Sequence, residues 1–137
     1  MSLDAPSVAT CKLLDAQTVS GVVLAWGTNL FRGPIRAVGG NIPAQSVFAL
    51  TMGGQTPRQY HEAKSTIIAR VLVYVRANVN AFEAGEDLAR AVLTKLHRNV
   101  PAGYIDCLAD VAEPEYAGDQ NTEQPHWIIP LSLTREE

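Results

Sequence analysis

From Ile67 to Val75 every odd-numbered position is apolar: Ile67, Ala69, Val71, Val73 and Val75. Between and after them stand Ile68, Arg70, Leu72, Tyr74 and Arg76. A period of two rich in β-branched residues predicts a strand over 65–77 with one face fully buried. At about 3.3 Å per residue such a strand reaches roughly 35 Å. Its other face sets Leu72 and Tyr74 among arginines, too apolar for open water and too charged for a dry core. A face of that kind is half covered, either by a loop of the same chain or by a neighbouring subunit.

The remaining pattern falls into elements around this strand. Asp4-Ala5-Pro6 opens a short helix, with Asp4 as the expected N-cap and Val8, Cys11 and Leu14 as its apolar stripe, ending before Ser20-Gly21. Val22–Trp26 reads as a brief strand or turn. The stretch 27–45 carries Gly27, Gly33, Pro34, Gly39, Gly40 and Pro43, a density that excludes a helix and predicts a long irregular loop or arm. Leu30, Phe31 and Ile35 within it must pack back on the domain or bury against a partner. Ser46–Met52 alternates as a strand, stopped by Gly53-Gly54, and the central strand is expected to return antiparallel to it.

Asn80–Arg98 has the strongest helical pattern. Asn80 with Glu83 fits a capping box, and Phe82, Ala89, Val92 and Leu96 recur at three- and four-residue steps. Pro101 closes it. Tyr104–Val111 alternates again, with Ile105, Cys107, Ala109 and Val111 expected inward and Tyr104, Asp106, Leu108 and Asp110 outward. An acidic loop over 113–124 precedes a last strand, His126–Thr134, whose Trp127, Ile129, Leu131 and Leu133 share a face. Pro130 lacks an N–H, which predicts an edge strand or a bulge there. The fold class expected is α+β: a four-stranded, largely antiparallel sheet with two helices on one face, in the order helix, strand, strand, helix, strand, strand.

Composition narrows the function more than the fold. A chain of 137 residues, 47% hydrophobic and 18% charged, suits one globular domain over 1–137. A net charge of −3 argues against a protein that wraps a nucleic-acid backbone. Cys11 and Cys107 lack any paired-cysteine spacing and read as small buried hydrophobes in a reducing compartment. No signal-peptide pattern opens the chain, and the longest apolar run is far too short to cross a bilayer.

Chemical motifs are scarce. The Gly-Gly pairs at Gly39 and Gly53 lead into loops or strands rather than a helix N-terminus, so they read as turns, not phosphate cradles. His61, His97 and His126 have no metal-ligand spacing, and His97 suits a helix C-terminus. No cofactor is expected. Charge, however, is blocked. No Lys or Arg lies between Arg98 and Arg135, while Asp106, Asp110, Glu113, Glu115, Asp119 and Glu123 do. Arg58, Lys64, Arg70 and Arg76 face only Glu62. One such block is ordinarily a solvated surface; two opposite blocks also suit head-to-tail contact between copies.

The run NIPAQSVFALTMGGQTP, the strand ending VYVRA with its following helix, the upstream LFRG and the later AEPEYAGDQNTEQPHWIIPLSLTRE together resemble the tail terminator (minor capsid or tail-completion) proteins of long-tailed bacteriophages. The likeness runs over residues 30–136. One departure is Gln120, where that family commonly has glutamate after the Gly-Asp pair. The resemblance implies a small non-enzymatic α/β subunit of the virion that assembles as a ring, typically a hexamer, in the host cytoplasm. Such a ring caps the tail tube, docks to the head-side connector proteins, and lets DNA pass through its lumen without specific binding. It further implies that Gly53, Gly54, Arg76, Gly118 and Asp119 are structural or contact positions. From the residues themselves, Leu30, Phe31, Arg70, Leu72 and Tyr74 are the remaining expected contacts.

Two other readings stand beside it. A head-side connector or stopper shares the size and geometry. A ligand-binding domain or enzyme would instead use Arg70, Tyr74 and Arg76 to grip a carboxylate or phosphate on the open sheet face.

Overall fold

A computed structural model describes residues 4–33, 45–55, 66–78, 81–117 and 125–136. In chain order these form α1 (Pro6–Leu14), β1 (Thr18–Val19), β2 (Val22–Val23), β3 (Leu30–Arg32), β4 (Ser46–Gln55), β5 (Thr66–Arg76), α2 (Phe82–Leu96), β6 (Asp106–Ala109), β7 (Glu115–Tyr116) and β8 (His126–Glu136). The sheet has six strands rather than four, ordered β3-β4-β5-β8-β6, with β7 also on β8. All its pairings are antiparallel except β3 with β4, which is parallel. The extra strands β3 and β7 lie where irregular loops were expected.

The alternation in β5 works as the sequence predicts. Val71, Val73 and Val75 are fully buried, and register sets them beside Leu131, Ile129 and Trp127 of β8. Val47 and Ala49 of β4 continue the same face. Both helices pack on this face and touch each other. Leu88, Ala89, Val92 and Leu96 form the buried stripe of α2, and Cys11 and Leu14 that of α1. Gly85 permits close approach of α2. A Cβ there would lie 2.5 Å from both the Ala77 Cβ and the Trp127 ring.

Several local expectations are corrected. The N-cap of α1 is Ala5, and the Asp4 carboxylate instead meets Lys12 Nζ at 2.7 Å. The helix stops at Leu14, and Ser20-Gly21, both with positive φ, close a two-residue hairpin between β1 and β2. The N-cap of α2 is Ala81, without a side-chain cap; Asn80 lies outside the described residues. Gly53 and Gly54 do not stop β4. The strand runs through them with a register irregularity between Thr51 and Gly54, and Gly53 has φ of +87°. In the stretch before β6 the inward and outward sides are exchanged: Ile105 is exposed, whereas Tyr104 is buried and its hydroxyl donates to the Asp4 carbonyl at 2.9 Å.

Pro130 sits mid-sheet, not at an edge. Its carbonyl accepts the Asp110 N–H at 2.9 Å, so its ring nitrogen also points away from β5. On that flank β6 has ended at Ala109 and β7 begins only at Glu115. The missing donor falls in the gap between the two short strands, so no ladder bond is lost. The free margin of β6 is closed as well. Arg98 N–H donates to the Cys107 carbonyl, Ala109 N–H donates to His97 Nδ1 at 3.1 Å, and Cys107 N–H donates to its neighbour Asp106. The C-terminal turn of α2 thereby covers much of this sheet edge.

Candidate assembly surfaces

The sheet face turned away from the helices carries five of the ten expected contact residues: Phe31, Arg70, Leu72, Tyr74 and Arg76. Its upper part is sealed. Phe48 is fully buried and Phe31 stacks on it at 5.4 Å between ring centres. Arg76 is 4% exposed, lies 5.2 Å over the Phe48 ring and donates to Ser46 Oγ at 3.1 Å. Below it Leu72 and Tyr74 are half-buried and Arg70 is exposed. Ile128, Pro130 and Ser132 of β8 lie half-buried beside them in register. The face is thus a buried aromatic–guanidinium end grading into a mixed apolar and cationic surface.

Arg70 and Arg76 do not form a pair. Six residues of strand separate them by about 20 Å, and Arg76 is engaged with Phe48 and Ser46. A two-arginine grip on one anion is excluded by that spacing. Leu30, expected as either core or contact, packs back into the core with no exposure. Gly54 has structural work: a Cβ there would lie 2.6 Å from the Ile68 carbonyl oxygen of the facing strand. Gly118 and Asp119 lie outside the described residues.

A second surface was not visible in the sequence. Phe82, at the start of α2, meets Trp127 at 5.2 Å and Tyr116 at 5.4 Å between ring centres, and Tyr116 meets Trp127 edge-on at 5.6 Å. Trp127 is buried, but Phe82 is 45% and Tyr116 57% exposed. The helical periodicity assigns Phe82 to the core stripe; in the fold it opens a cleft of about 310 Å³ with Glu86, Arg90, Glu113 and Pro114 on its walls. Arg90 Nε is held by Glu113 at 3.1 Å. Only the long-range pairing of β7 with β8 brings Tyr116 to Trp127, so no local signal reveals the cleft.

Cys11 and Cys107 are free and fully buried. Desolvation pushes both thiols up to about 11, against the partial opposing pull of Arg32 at Cys11. They are inert packing groups.

Neither a family model nor a curated protein matches this chain. A solved structure does. The fold is that of a chain in the virion of a native gene transfer agent (GTA) particle, with a TM-score of 0.69 and 12% identity, over 97% of this chain and 96% of that one. At that identity the likeness establishes a shared fold.

Proposed function

We propose that the chain is a structural, non-enzymatic component of a phage-like virion. More finely, we read it as a ring-forming tail terminator that caps the tail tube and docks to head-side connector proteins. The observation that carries this reading is the fold likeness to a virion chain along nearly the whole length of both. Two features of the molecule support it. The sheet face around Leu72 and Tyr74 is left half-covered beside an exposed Arg70, and exposed aromatic rings crowd the β7 margin of the other face. Both suit burial between copies.

The test is electron microscopy of the protein mixed with the tail-tube protein of its own particle. Tubes ending at uniform length under a terminal ring support the terminator role. Rings that bind isolated heads and leave tube length unregulated would move the protein to the head side of the neck.

A further inference from the structure

The sheet places two unlike surfaces at the two ends of one continuous row. Leu30 of β3 pairs with Val47, Val47 with Val75, Val75 with Trp127 and Trp127 with Tyr116 of β7. The next row on the same, helix-bearing face runs Arg32, Ala49, Val73, Ile129. Arg32 therefore marks one margin of this face and Tyr116 the other, at nearly the same height. Arg32 is exposed. Its Nε donates to Ser7 Oγ at 3.1 Å, and its terminal amino groups make no bond among the described residues. At the far margin is the Phe82–Tyr116–Trp127 cleft, whose walls hold two carboxylates, Glu86 and Glu113, against one guanidinium, Arg90.

We infer that the cleft receives Arg32 from a second copy of this chain, one subunit's β3 margin docking head-to-tail against the β7 margin of the next. The occupant follows from charge and position together. Exposed aromatic rings beside a spare carboxylate attract a guanidinium by cation–π contact and charge-assisted hydrogen bonding. The exposed arginine on the same sheet face stands at the opposite edge, so translating a copy sideways brings it to the cleft. Such a contact is heterologous, and heterologous contacts generate rings when the rotation closes. The inference rests on the ring reading and names the surfaces by which the ring closes.

The test uses the full chain at high concentration, with assembled mass read by sedimentation velocity and folding by circular dichroism. Arg32→Glu should leave the fold intact and weaken association by about tenfold or more per contact, the scale of a like-charge juxtaposition. Adding Glu86→Lys to the same chain should restore much of it. In a separate variant, Arg32→Cys with Tyr116→Cys should give a ladder of covalent oligomers on mild oxidation, because Cys11 and Cys107 are buried. Rings of unchanged mass in Arg32→Glu, with no ladder from the double-cysteine variant, would overturn the inference while leaving the ring reading standing. A chain that stays monomeric both alone and on tail tubes would overturn both.

Discussion

Arg76 and Phe48 are neighbours across β4 and β5, the guanidinium carbon 5.2 Å above the ring centre with both side chains shut away from solvent. A charge in that position is held by the ring quadrupole and by Ser46. Arg76→Ala should cost about 3 kcal/mol, since it empties a buried site and strips Ser46 of its donor. Arg76→Lys keeps the charge but loses the planar stack, and should cost about 1–2 kcal/mol. Urea denaturation monitored by circular dichroism measures both, and equal costs would refute the stacking role.

The two glycines of the β4 irregularity should behave differently. Gly54→Ala drives a methyl to within 2.6 Å of a backbone carbonyl in β5 and should destabilise by about 2–3 kcal/mol. Gly53→Ala meets open space and suffers only from its positive φ, about 1 kcal/mol. The ranking by thermal melting is the check.

Gly85→Ala should be the most damaging small change in α2. Its methyl would overlap the Trp127 ring and the Ala77 side chain, so α2 must lift from β8. About 2–3 kcal/mol is expected, with a change in tryptophan fluorescence, because Trp127 forms the floor of the aromatic cleft.

Pro130 gives the opposite outcome. Pro130→Val should change stability by less than about 1 kcal/mol, since the nitrogen faces the gap between β6 and β7. Leu131→Pro, one residue on, removes an N–H directed at β5 and should cost about 3 kcal/mol or more.

The buried thiols set an alkaline limit. Their folded pKa of about 11 lies above the unfolded value near 9. Their contribution is therefore complete below pH 9 and is lost as pH rises through 11, because the unfolded chain releases these protons first. The slope is at most about 1.4 kcal/mol per pH unit for each thiol. The double variant Cys11→Ala, Cys107→Ala should flatten stability between pH 9 and 11; an unchanged slope would remove the thiols from the account.

Much of the architecture is legible where periodicity is long enough to be read. β5 and β8 announce their buried faces through Val71, Val73, Ile129 and Leu131, and α2 through Leu88, Val92 and Leu96. The strands missed are those too short to have a period. β1 and β7 have two residues each, while β2 falls within the brief strand or turn expected over Val22–Trp26, and Leu30-Phe31-Arg32 is defined by its parallel partner rather than by its own pattern. Pro130 misleads because the rule concerns one flank of a strand, and the sequence does not say which flank is short of neighbours. The cleft was hidden for a related reason. Phe82 fits a helical stripe by spacing, yet it sits one turn too early to reach the core, and Tyr116 reaches it only through long-range pairing.

The turn formed by His97 and Arg98 occupies the backbone of β6 that another chain would otherwise seize. A subunit guarded in this way resists the addition of a further strand along β6. Its geometry on that side is left to a few protruding groups, and exchanging those groups would alter which neighbours it accepts without disturbing the fold that presents them.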